Sequence, residues 1–143
     1  MKLIRLLLLA ALPTLLTACV NDGIAYQADN GQLIISLVRE QPWFWDKKVN
    51  LSVVVGRLPA CQRRHAMGTG SARSKVELWE VGGGTYILRK SDKMYVTEVR
   101  TCEGFAPLDE VPASGLGTLL GTFEEKNEAL VFTPAATEAP AEQ

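Results

Sequence analysis

Val49-Asn50-Leu51-Ser52-Val53-Val54-Val55-Gly56, residues 49–56, decides the fold class. Val49, Leu51, Val53 and Val55 alternate with Asn50, Ser52 and Gly56, a period of two that gathers one apolar row on one face of a strand. Upstream, Leu33, Ile35 and Leu37 alternate with Ile34, Ser36 and Val38, so that strand is apolar on both faces. Downstream, Val76 to Val81, Thr85 to Lys90 and Met94 to Thr101 also read as strands. They are separated by Gly82-Gly83-Gly84 and by Ser91-Asp92, both good turn material. Thr118 to Phe123 and Ala129 to Thr133 form a last pair around Glu125-Lys126-Asn127. A short helix across Phe123 to Leu130 is the rival there, since Glu124 and Glu128 lie at i and i+4. The β-prone run Leu130-Val131-Phe132-Thr133, with Gly117 and Gly121, favours the hairpin. The sum is an all-β chain, a small antiparallel sandwich or open barrel of about seven strands, with no strand–helix–strand alternation.

Around this core the 143 residues divide by composition. Residues 31–133 form one β domain of ordinary size. Residues 134–143, PAATEAPAEQ, contain little that could be buried and are expected to be a disordered Ala/Pro/Glu tail. Residues 19–30 are polar and without clear periodicity, and read as a tether.

The first 18 residues carry an export pattern. Lys2 and Arg5 make a positive start, Leu6 to Leu16 is apolar apart from Pro13 and Thr14, and the small residues Thr17 and Ala18 precede Cys19. That order is a secretory signal. An apolar core of 11 residues is too short for the roughly 20 that span a bilayer. Leu16-Thr17-Ala18-Cys19 resembles the lipobox of bacterial lipoproteins. The resemblance covers residues 1–19 only. It implies a signal peptide cut before Cys19, and diacylglycerol and an N-acyl chain on Cys19, with no other cofactor expected. It also implies that Val20, in place of an Asp, directs the protein to the outer membrane, with the domain in the periplasm. Several acyl chains would give stable anchoring where one gives only marginal binding.

With Cys19 acylated, Cys61 and Cys102 remain, and an even pair in an exported domain predicts a disulfide. It closes a loop of about 40 residues, for which chain entropy predicts roughly 4 kcal/mol of stabilisation. A metal site is not expected, since His65 is the only histidine.

Charge is unevenly distributed. From Lys47 to Val76 there are seven basic residues (Lys47, Lys48, Arg57, Arg63, Arg64, Arg73 and Lys75) and no acidic one, yet the whole chain nets −1. Two readings stand: a basic face for anionic envelope components, or a stretch neutralised by acidic residues of other strands. Cys61 to Lys75 lacks apolar periodicity and reads as a flexible loop. Trp43-Phe44-Trp45 between two strands has two readings as well. Two of the rings cap the core, or an exposed tip grips a partner or rests in a membrane interface. Trp43, Phe44, Trp45, Lys47, Lys48, Arg63, Arg64 and His65 are therefore the candidate binding surface.

No catalytic residues are predicted. G-x-S-x-G and H-E-x-x-H are absent, and no motif positions a nucleophile near His65. Asp109-Glu110 and Glu124-Glu125 are adjacent pairs, which point to opposite faces of a strand and read as solvated carboxylates. The expected role is a non-catalytic envelope lipoprotein. It would be held to the membrane by its lipid and bind an envelope protein or anionic envelope component, not nucleic acid, with an accessory subunit of a larger assembly as one form of that role. Two alternatives are an inhibitor of a cell-wall hydrolase such as lysozyme and a small lipid or ligand carrier. The first rests on a weak similarity of Gly82-Gly83-Gly84-Thr85-Tyr86 to the small-residue and Tyr loop of such inhibitors.

Overall fold

A computed structural model describes residues 19–136. The expected signal peptide, 1–18, and residues 137–143 of the expected tail lie outside the described residues. Ten strands run in order: β1 (Asn21–Ala28), β2 (Leu33–Glu40), β3 (Lys48–Arg57), β4 (Cys61–Ser71), β5 (Val76–Gly82), β6 (Thr85–Lys90), β7 (Lys93–Glu98), β8 (Phe105–Leu108), β9 (Thr118–Lys126) and β10 (Ala129–Pro134). The only helical element among the described residues is a 3-10 turn, Asp29–Gly31. The strands form two antiparallel sheets, β1-β2-β3-β4 and β10-β9-β5-β6-β7-β8.

The core lies between the sheets and is built from the alternating rows. Leu33, Ile35 and Leu37 of β2 and Val49, Leu51, Val53 and Val55 of β3 are at most 3% exposed. Leu37 lies opposite Val53 and Ile35 opposite Val55, so the two rows make one apolar surface. The facing sheet contributes Val76, Leu78, Tyr86, Leu88, Phe123 and Leu130. Burying each such aliphatic side chain stabilises the fold by roughly 2 kcal/mol.

The β9–β10 hairpin forms, and the alternative helix does not. Lys126 pairs with Ala129 across a two-residue turn, in which Asn127 and Glu128 have φ of 51° and 66°. Two left-handed residues match the twist of the flanking strands. Gly121 serves the same hairpin, because a Cβ there would lie 2.5 Å from the Phe132 ring. Since a left-handed residue with a Cβ costs about 1 kcal/mol, Glu128→Gly is expected to raise stability by about that amount. An upward shift of the thermal midpoint is the readout, and an unchanged or lower midpoint would refute the strain argument.

Three expectations are corrected. The tether read at 19–30 is mostly strand β1, paired along its length with β2. Its half-covered row is Asp22, Ile24, Tyr26 and Ala28, and the polar first member and Gly23 obscured the alternation. The loop read at 61–75 is mostly β4, an edge strand whose pairing with β3 slips between Asn50 and Ser52. Its one fully buried side chain is Met67, so it lacks the apolar row that marks a central strand. Pro134, placed in the tail, ends β10, and the following Ala135 amide donates to the Leu120 carbonyl at 2.9 Å.

Candidate functional site

Cys61 and Cys102 form a disulfide with Cα atoms 5.9 Å apart. Cys61 opens β4 in one sheet, and Cys102 lies in the loop after β7 in the other. The bond therefore ties the two sheets together. His65 reinforces the same seam. Its Nε2–H donates to the Cys102 carbonyl at 2.8 Å, because only the protonated nitrogen can face a carbonyl oxygen. Its ring stacks on Phe105, and Phe105 stacks on Tyr95. The loop itself is organised by Glu98, whose carboxylate accepts from the Arg100, Thr101 and Gly104 amides and the Thr101 hydroxyl. The Thr101 hydroxyl, then the amides, hold the Glu98 carboxyl down to about 2.

Arg39 is the charged centre of the fold and was not anticipated. It continues the inward row Leu33, Ile35, Leu37, and it is fully buried. Its Nε and Nη2 donate to both oxygens of Asp22, opposite it on β1, at 2.7 and 2.6 Å. Its Nη1 donates to Glu125 of β9 at 2.7 Å and to the Ala72 carbonyl at 2.5 Å. Asp22 also accepts the Leu130 amide of β10 at 3.0 Å. One guanidinium thus joins the two sheets, through β1 and β9, by charge-assisted bonds. The Arg39 hydrogen bond, ahead of the opposing cost of burial, holds the Asp22 carboxyl below its ordinary value. Glu125, read from sequence as a solvated carboxylate, is drawn inward by this contact, with 16% of its side chain exposed. Its neighbour Glu124 points away to Lys75, Lys126 and Thr133.

The candidate binding residues do not form one surface. Arg63, Arg64 and His65 lie within β4. Arg63 pairs with Glu103, and Arg64 reaches Glu40 at 2.8 Å and Ser52 at 3.1 Å. Arg57, Arg73 and Lys75 pair with Asp29, Glu125 and Glu124. Five of the seven basic residues of the 47–76 stretch are thereby matched by carboxylates from other parts of the chain. Lys47 and Lys48 are exposed and make no ion pair among the described residues.

Trp43, Phe44 and Trp45 lie apart from β4, in the β2–β3 turn, and are exposed to 59, 62 and 65%. Trp43 and Trp45 stack with centroids 5.2 Å apart, and Phe44 meets Trp45 edge-on at 4.6 Å. The reading in which two of these rings cap the core does not hold, because all three are more than half exposed and none packs against the core cluster. This turn is stitched to the start of the described chain. The Val20 amide donates to Gln41 Oε1 at 3.0 Å, the Gln41 amide returns to the Val20 carbonyl at 2.7 Å, and Gln41 Nε2 donates to the Asp46 carbonyl. Cys19, exposed, lines an open cleft of about 850 Å³ with Gln41, Asp46, Lys47, Arg73 and Glu128. Gln41 carries no sequence signal, since a lone glutamine at a strand end is ordinary. Tyr86, considered above as part of an inhibitory loop, is 3% exposed and belongs to the core.

Fold and site together define a small disulfide-linked domain of two antiparallel sheets, with an aromatic turn bonded to its N-terminal residues. No protein-family model matches the chain, and neither a curated protein nor a solved structure is significantly similar to it.

Proposed function

We propose that this chain is a lipid-anchored, non-catalytic β domain of the bacterial cell envelope, acylated on Cys19 and held at the outer membrane, where it binds an envelope protein or anionic envelope component. The observation that carries the reading is the position of Cys19. It is exposed and stands two residues before β1, so acyl chains on its thiol and amine leave the fold undisturbed. The lipobox-like Leu16-Thr17-Ala18-Cys19 supports acylation there. The disulfide agrees with an oxidising compartment. Strand β4 suits partner binding, because it is an edge of its sheet and exposes Gln62, Arg63 and Arg64.

Metabolic labelling with an alkyne palmitate analogue tests the anchor. Wild-type protein is expected to take the label and fractionate with membranes, and Cys19→Ala to lose both. An unlabelled wild type, or a labelled Cys19→Ala, refutes the reading. A photocrosslinker at Arg64 tests the partner: capture of a discrete protein or anionic glycan supports it, and no capture removes β4 as the binding face.

A further inference from the structure

We propose that the turn carrying Trp43, Phe44 and Trp45 is a second membrane contact, seated in the headgroup interface of the same bilayer that holds the lipid on Cys19. The proposal rests on the lipid-anchored reading above. The rings form one continuous apolar tip, stacked on one another and more than half exposed. Tryptophan in such a position, apolar in body and polar at its N–H, is the side chain that favours the membrane–water boundary.

The location of the tip selects lipid over protein. Gln41 bonds Val20 on one side and Asp46 on the other, so the residue after the anchor and the end of the turn are fixed relative to each other. No slack separates them, because β1 begins at Asn21. Acyl chains entering a bilayer from Cys19 therefore bring the membrane surface to the aromatic turn. A protein bound to the rings would have to fit between the turn and that surface.

Charge agrees. Lys47 and Lys48 follow the tip and are exposed. Neither makes an ion pair among the described residues, and the Asp46 carboxylate beside them accepts the Lys48 backbone amide, so both ammonium groups are available to anionic headgroups. Rings and lysines then add to the acyl chains as a further attachment, and the domain is held at a set orientation rather than swinging on its anchor.

Lipid-depth quenching tests this with the acylated protein as processed in the cell, from Cys19 onward. Of the three tryptophans, Trp79 is removed by Trp79→Phe, which leaves Trp43 and Trp45 as reporters. The protein is reconstituted in phosphatidylethanolamine–phosphatidylglycerol vesicles with bromines near the headgroup end of the acyl chains. A blue shift and loss of most of the tryptophan emission are expected. In the background with Trp79 retained, Trp43→Ser/Phe44→Ser/Trp45→Ser is expected to abolish the lipid-quenched fraction while membrane association persists. Verified acylation with unquenched, solvent-like emission overturns the proposal and leaves the anchored reading standing. A blue shift without bromine quenching means that protein covers the tip, and also overturns it. A Cys19 without lipid in the mass spectrum overturns both.

Discussion

Arg39→Met is expected to lower the unfolding free energy by about 3 kcal/mol, the lower end of the range for removing one member of a buried ion pair. Methionine fills much of the same volume but leaves Asp22, Glu125 and the Ala72 carbonyl without their shared donor. The lower end applies because Asp22 and Glu125 keep 33% and 16% of their side chains exposed, and water relieves part of the lost interaction. Arg39→Lys is expected to recover only a fraction, since an ammonium cannot reproduce the forked contact with Asp22. Arg39→Met combined with Asp22→Leu and Glu125→Leu is expected to be far less damaging than Arg39→Met alone, because no buried charge is then left unpaired and Arg73, which loses Glu125, is solvated. Denaturant unfolding of the four proteins measures this. A midpoint for Arg39→Met equal to wild type would show that the network contributes nothing net.

The same network predicts acid sensitivity. Asp22 titrates below its ordinary value in the folded protein, so the unfolded chain takes up its proton first as pH falls. The stabilisation is complete above the ordinary carboxylate value of 3.8 and is lost as pH drops through the lowered one. Glu98 adds a loss of the same sign between its ordinary 4.5 and about 2. Wild-type stability is expected to fall below about pH 4, and Asp22→Asn to flatten part of that fall at the cost of lower stability at neutral pH.

Breaking the disulfide is expected to cost about 4 kcal/mol, from the closure entropy of its loop. Cys61→Ser/Cys102→Ser or full reduction is the perturbation, and denaturation with and without reductant is the measurement. The effect extends beyond chain entropy in its consequences, because Cys102 is buried in the core and accepts the His65 hydrogen bond through its carbonyl. The His65–Phe105–Tyr95 stack is expected to loosen with it, and to show as faster hydrogen exchange at β4 and β8. Unchanged stability after complete reduction would mean that the His65 and Glu98 contacts hold the seam unaided.

By itself the sequence determined the β class, the strand β2, the inward row of β3, the β6–β7 and β9–β10 hairpins and the disulfide. Each of these rests on information local in the chain or on parity. Side-chain alternation is written two residues at a time, turn residues act within four residues, and two cysteines left after Cys19 can pair in only one way. The edge strands β1, β4 and β8 were missed for the converse reason. An edge strand buries little, so Asp22-Gly23 and Arg63-Arg64 did not have to be apolar. Residues 33–38 are apolar on both faces in sequence, so period alone could neither mark Arg39 as inward nor name the carboxylates that make its burial tolerable. Only the tertiary structure decided that, because Asp22 and Glu125 arrive from β1 and β9. It also decided that five basic side chains meet carboxylates while, among the described residues, Lys47 and Lys48 do not, and that the Trp43–Trp45 turn is exposed next to the hydrogen bonds between Gln41 and Val20. Such outcomes depend on which distant segments become neighbours, and that is set by the packing of one sheet on the other.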